Sequence, residues 1–242
     1  MKVLLLGGTG EGRALAHLLA NSSHEATLSL AGATRDPAKM PIATRTGGFG
    51  GAEPFADWLR QHGIQAIIDA THPFAARISA RSAAVARDMG VPYLQVLRPA
   101  WQPGPGDDWH RIAAEEEAAQ LIPEKAKVFL ATGRQTLQRF ANLQGRMLIC
   151  RQIDPPDGPF PFPNGRFLVG RPPFPVDQER VLFRDLGIDW LVVKNAGGAA
   201  SRTKLDAAAQ LGLPVAMIDR PKPPDCAKGV TPEEAMAWLS SL

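Results

Sequence analysis

Four glycines, Gly7, Gly8, Gly10 and Gly12, fall within six positions near the start of the chain. They follow the apolar run Val3-Leu4-Leu5-Leu6 and precede a helical periodicity at Ala14, Leu15, Leu18 and Leu19. Strand, glycine turn and helix in that order form a phosphate-binding corner, because glycine lets the backbone approach a diphosphate and the helix start points N–H groups at it. Gly8, Thr9, Gly10, Glu11, Gly12 and Arg13 are therefore the expected diphosphate contacts. The pattern departs from G-x-G-x-x-G, since Arg13 stands where the last glycine belongs; an ordinary tight turn is the alternative. About 25 residues past this turn, where an acidic residue would hold the ribose of NAD, stands Arg35, which suits the 2′-phosphate of NADP.

Further chemistry sits where apolar runs end. Ala66 to Ala70 runs into Thr71-His72-Pro73-Phe74-Ala75, and His72 there can donate a hydrogen bond or proton, or brace the turn. Later runs end in Arg134, Arg171, Lys194-Asn195 and Arg220. In parallel strands such ends share one sheet edge, where open α/β sheets bind ligands. Each basic residue alone reads as a solvated loop; their recurrence points to an anion-lined site. Tyr-x-x-x-Lys, G-x-S-x-G and G-x-x-x-x-G-K-[ST] are absent, and no His, Cys and carboxylate spacing suggests a metal.

Composition narrows the setting. The chain has 242 residues, a net charge of +3 and two cysteines, Cys150 and Cys226, far apart. Nothing in it clusters basic and aromatic residues as a nucleic-acid face would, and no apolar run reaches membrane-spanning length. No signal peptide is read before the first strand, so a cytoplasmic location is expected. Nineteen Arg against eight Lys suits bidentate anion recognition, although a GC-rich genome explains the same bias.

The elements that must position these residues read as repeated βα units. Strands are expected over 26–33, 66–70 and 93–97, with helices over 54–62 and 76–89. The glycine-rich stretch 44–51 reads as a loop. The Pro- and Gly-rich stretch 98–110 reads as an interdomain crossover. Beyond it, strands are expected over 127–131, 147–153, 167–169, 190–193 and 215–218. Helices are expected over 115–121, 135–141, 176–186 and 202–211, with a last one opening at Thr231-Pro232. The resulting fold class is α/β: two Rossmann-like or flavodoxin-like domains, 1–98 and 99–242, with parallel sheets and a ligand cleft between them.

Taken together, these strand-end motifs resemble the precorrin-6A reductase family of cobalamin biosynthesis. The resemblance rests on Gly7–Arg13, Asp69–Ala75, Thr132-Gly133-Arg134, Gly170–Phe174, Lys194-Asn195-Ala196-Gly197-Gly198 and Leu213–Pro221. It spans the chain, with one departure, Ala196, where the family usually carries Ser. It implies an NADPH-dependent oxidoreductase that reduces one C=C bond of precorrin-6A to give precorrin-6B. By this resemblance Thr71 lies at the cofactor, and His72 lies at the substrate and is the candidate catalytic residue. Arg134, Arg171, Lys194, Asn195 and Lys204 would bind the tetrapyrrole, with no metal. The Gly197-Gly198 turn and Lys204 could serve cofactor phosphate instead. The expected partner is a small tetrapyrrole, not nucleic acid or membrane, with room for contacts to neighbouring pathway enzymes. Three alternatives remain: a cobalt-precorrin-6A reductase using NADH, a non-catalytic NADP-sensing protein, and a tetrapyrrole-binding cyclase or synthase.

Overall fold

The computed structural model describes residues 1–32 and 39–242. The chain forms two compact units: Met1–Pro99 with Pro221–Leu242, and Ala100–Arg220.

Unit 1 starts with β1 (Lys2–Leu6), α1 (Gly10–Ala20), β2 (Glu25–Leu30) and β3 (Ala43–Thr46). It continues with α2 (Ala52–His62), β4 (Ala66–Asp69), α3 (Ala76–Met89) and β5 (Tyr93–Val96). Unit 2 opens with β6 (Trp109–Ile112), α4 (Ala118–Leu121), β7 (Lys127–Leu130), β8 (Met147–Gln152) and β9 (Gly165–Val169). It closes with α5 (Val176–Leu186), β10 (Trp190–Lys194), α6 (Thr203–Leu211) and β11 (Val215–Ile218). The last elements, β12 (Ala227–Gly229) and α7 (Pro232–Ser240), return to unit 1.

All strand pairs are parallel, for example Leu5 opposite Leu28 and Ile68 opposite Leu94. The strand orders are β12-β5-β4-β1-β2-β3 and β6-β11-β10-β7-β8-β9. Leaving aside the edge strands β12 and β6, each is a Rossmann-like order, with β1 between β2 and β4 in one sheet and β7 between β8 and β10 in the other. The sixth place is unusual in both sheets. After β5 the chain leaves, and β12 from the C-terminus fills the edge beside β5; β6, which precedes all other strands of unit 2, fills the edge beside β11.

The sequence expectation that 99–242 forms one domain therefore differs from the structure over 221–242. The reason is burial. Ala235 and Leu239 of α7 pack with Leu15 and Leu19 of α1 against Val3, Leu5 and Leu28. The other face of the same sheet buries Leu4, Leu6 and Ile67 against Phe55, Leu59 and Ala86. Alternate strand residues thus feed two cores, which is why the central strands read as unbroken apolar runs. In unit 2, Phe129, Leu191 and Val193 pack on Phe183 and Leu205.

Three strands, β3, β6 and β12, were not expected, and all three are sheet edges. An edge strand needs no continuous apolar run, and Ala43-Thr44-Arg45-Thr46 has none. The helix expected over 135–141 is present as a 3₁₀ helix over Arg134–Phe140. At α7 the expected cap is present: Thr231 Oγ1 accepts from Glu234 N–H (3.2 Å), while Glu234 accepts from Val230 N–H (2.7 Å).

Candidate functional site

In unit 1 the strand order reverses between β1 and β4, so their following loops meet. Thr9 Oγ1 joins them, donating to Ala70 O (2.7 Å) and accepting from Gly12 N–H (3.1 Å). Its hydroxyl is thereby committed to capping α1. Gly8 has φ +134°, and a Cβ there would meet nothing within 4 Å, so the turn is open on the side a ligand would approach. Gly12 carries the packing role: a Cβ on it would lie 3.2 Å from Gly7 Cα and 3.5 Å from Ala70 O. The third glycine of the fingerprint is therefore Gly12, one position earlier than the G-x-G-x-x-G spacing suggested. These features fit a nucleotide diphosphate at the start of α1.

Charges around the corner are organised. Glu11, in the first turn of α1, is held by Arg98 at 2.6 Å, with both side chains largely buried. Without that partner its carboxylate would repel an incoming phosphate. Arg13 is exposed, and its Nη2 lies 3.8 Å from where a Cβ of Gly10 would be. Arg98 was missing from the sequence reading; its signal was a basic residue directly after the strand 93–97. Arg35 lies outside the described residues.

The β4 loop is pinned from beneath. Asp69, fully buried, accepts from Thr71 N–H (2.9 Å) and from Tyr93 Oη (2.6 Å). Burial and the neighbouring Asp69 charge push the Tyr93 phenol far up, so it stays a donor. Thr71 Oγ1 lies 3.3 Å from Ser79 Oγ. The exposed His72 accepts from Phe74 N–H at Nδ1 (3.2 Å), which in the neutral ring leaves the proton on Nε2. The structure thus brings Gly8–Arg13, Thr71 and His72 to one sheet edge.

In unit 2 the reversal falls between β7 and β10. Lys194, at the end of β10, donates to Thr136 Oγ1 (3.0 Å) and lies 3.5 Å from the buried Glu115 carboxylate. Burial lowers its pKa, and Glu115 opposes the shift. Asn195 Oδ1 accepts from Trp101 N–H (2.8 Å) and its Nδ2 donates to Trp101 O (3.1 Å). That amide clamps the chain near the start of the 98–110 stretch. Arg134 pairs with Asp157 (3.1 Å) and Arg171 with Asp154 (3.3 Å), both arginines being exposed. Arg134, Lys194 and Asn195 gather at the reversal, whereas Arg171 follows the edge strand β9. Lys204 donates to Ser201 O and sits 5.6 Å from the Trp101 ring centroid. Burial, then the Arg151 charge, lowers its pKa to about 8. Arg151 itself forms a buried fork with Glu179, both contacts 2.7 Å, which sequence reading did not find.

Among the described residues no three His, Cys, Asp or Glu side chains gather as a metal site would need, and no helix is long and apolar enough to cross a membrane.

Fold and corner define a two-unit Rossmann-like protein whose unit 1 carries a glycine corner of the kind that fits a nucleotide phosphate. Comparison with known proteins goes further. The family model described as precorrin-6x reductase CbiJ/CobK matches residues 2–240, and the chain belongs to this family of reductases. A precorrin-6A reductase of Rhodococcus erythropolis is 46% identical, covering 100% of this chain and 98% of the relative. A cobalt-precorrin-6A reductase of Priestia megaterium is 30% identical, covering 91% of each. The solved structure of a CobK precorrin-6A reductase superposes with a TM-score of 0.94 at 41% identity, covering 100% of this chain and 96% of the other.

Proposed function

We propose that this chain reduces one C=C bond of precorrin-6A, with NADPH as reductant, giving precorrin-6B in cobalamin biosynthesis. The observation that carries the reading is the corner at Gly8–Gly12, with its open turn, close-packed Gly12 and neutralised Glu11. Bound there, the cofactor would supply a hydride from its nicotinamide to a ring carbon of the macrocycle.

The chain's own tasks are binding and orientation. Residues 8–13 hold the diphosphate, through backbone N–H groups other than those of Gly12 and Arg13, which bond Thr9 within the first turn of α1, and Arg35 reads the 2′-phosphate. Thr71, fixed by Asp69, and His72 border the reacting groups. His72 Nε2–H is a donor at that edge. Arg134, Arg171, Lys194 and Lys204 neutralise the acetate and propionate arms, fixing the ring by charge-assisted bonds. Asn195 serves this set indirectly, by holding the Trp101 segment. A metal-free substrate is favoured because the precorrin-6A reductase of Rhodococcus erythropolis is more similar to this chain than the cobalt-precorrin-6A reductase of Priestia megaterium.

Isotope transfer tests the reading. NADPH deuterated at the nicotinamide C4 should pass its label to one ring carbon of the product, while labelled solvent should mark the neighbouring carbon. Solvent label at both carbons would refute hydride transfer from the nicotinamide.

A further inference from the structure

A cavity of about 820 Å³ opens in unit 1 between the loop after β3 and the first two turns of α3. Its walls include Gly48–Gly51, Phe49, Phe74, Arg77 and Arg81, and no acidic side chain lines it. None of these groups has a task in the corner described above.

One arginine ties the loop to β2. Arg45 donates to Ser29 Oγ (2.7 Å), Gly47 O (2.9 Å) and Gly48 O (3.1 Å), and its guanidinium lies 3.9 Å from the Phe49 ring centroid. Three of its five N–H donors are used in this way, two on the loop and one on β2. Arg81 contrasts with it. The Arg81 guanidinium lies 5.9 Å from the Phe49 centroid and 5.3 Å from that of Phe55. Its Nε and Nη2 atoms are buried and have no hydrogen-bond partner among the described residues. A desolvated guanidinium with unused donors is costly, and because Nε and Nη2 have no accessible surface, an anion meets them only when the side chain turns towards the cavity.

Surrounding groups add positive potential. Arg77 stands one helical turn before Arg81, at an exposed position on the same wall. The start of α3 lines the cavity, with no side-chain cap and no acidic residue in its first turn, while α2 meets it only at its N-cap Gly51 and carries Glu53 in its first turn. α3, at 14 residues, is long enough for its N-terminal dipole to favour an anion.

We propose that this cavity is an oxyanion site in which the Arg81 fork, assisted by Arg77, receives a phosphate or carboxylate group of a bound ligand. The inference rests on the reading of NADPH and a polycarboxylate macrocycle as ligands, which supply the two sources of such a group. Arg81 would then be a specificity residue of unit 1, separate from the diphosphate corner.

The test measures Kd for NADPH and NADH, and KM for precorrin-6A, in the wild type and in Arg81→Gln, Arg81→Lys and Arg77→Gln. Loss of a charge-assisted fork should weaken the affected ligand roughly 10- to 100-fold in Arg81→Gln, with Arg81→Lys intermediate. The exposed Arg77→Gln should weaken it only a few-fold. Weaker NADPH with unchanged NADH assigns the site to cofactor phosphate; raised KM for precorrin-6A with unchanged NADPH assigns it to a substrate carboxylate. Either supports the proposal. An active wild type with all constants unchanged in Arg81→Gln and Arg77→Gln overturns it and leaves Arg81 a packing element. Equal loss for every ligand, with a lowered thermal midpoint in Arg81→Gln and no effect of Arg77→Gln, overturns it as well. A wild type that binds neither nucleotide and does not turn over removes the functional reading and this inference together.

Discussion

At the residue scale, charge placement decides what the corner can hold. Glu11 puts a carboxylate at the start of α1, where a phosphate should sit, and Arg98 cancels it. Arg98→Gln is therefore expected to weaken NADPH and NADH alike, by roughly 10-fold, since the lost term is a charge-assisted contact that neither nucleotide's 2′ position senses. Arg35→Ala should instead weaken NADPH alone. Fluorescence titration of both nucleotides separates the two effects, and a nucleotide-selective loss in Arg98→Gln would contradict this account of Glu11. Lys204 offers a second check, through pH. Its pKa is lowered from about 10.5 in the unfolded chain to about 8 in the fold. Between those values the unfolded chain binds the extra proton, so stability should rise with pH across that window. The stabilising contribution is complete above the unfolded value and is lost as pH falls through the folded one. Chemical denaturation from pH 7.5 to 10.5, roughly the window these values define, should show the rise in the wild type and a smaller one in Lys204→Met; identical slopes would contradict the assignment.

At the element scale, the carboxyl end of β4 is fixed by a buried carboxylate. Asp69 ties Thr71 N–H above it to Tyr93 of β5 beside it. Asp69→Ala leaves both donors short of a buried acceptor, at a cost of about 1–3 kcal/mol for each group left unsatisfied. It should lower the thermal midpoint and kcat together. His72→Ala, at an exposed position, should lower kcat with NADPH affinity and midpoint retained. Unchanged turnover in His72→Ala would make that ring a brace for Phe74 N–H. What was legible at this scale follows from burial. Central strands covered on both faces announced themselves as apolar runs, and the motifs at their ends were placed correctly at the sheet edge. Arg45 and Arg81 were not recognised, because their meaning comes from packing on Phe49, which neighbours in sequence do not reveal. Asn195 was expected at the substrate from the family resemblance; what no local pattern revealed is that its amide clamps Trp101, a partner 94 residues away.

At the scale of the whole molecule, connectivity has a testable consequence. Residues 1–98 read as a self-sufficient domain, yet the edge strand β12 and the buried Ala235 and Leu239 come from the C-terminus. That contribution was hidden because Ala227-Lys228-Gly229 is short and carries no apolar run. A fragment of residues 1–98 is expected to lack a cooperative unfolding transition. Residues 1–99 joined by a flexible linker to 221–242 should fold and bind nucleotide. In the full chain Leu239→Ala should cost about 2–5 kcal/mol, as for other buried leucines. Cooperative folding of the 1–98 fragment would show that α7 and β12 are dispensable.

The central claim, that the corner and the basic strand ends together serve an NADPH-linked reduction of the macrocycle, is tested most directly by anaerobic turnover. Purified protein is mixed with precorrin-6A and either NADPH or NADH, while nicotinamide absorbance and product mass are followed together. The account predicts NADPH oxidation matched, molecule for molecule, by a product heavier by one hydride and one proton, with NADH much slower. NADPH binding without any change in the mass of precorrin-6A, or equal rates with both nucleotides, would contradict it.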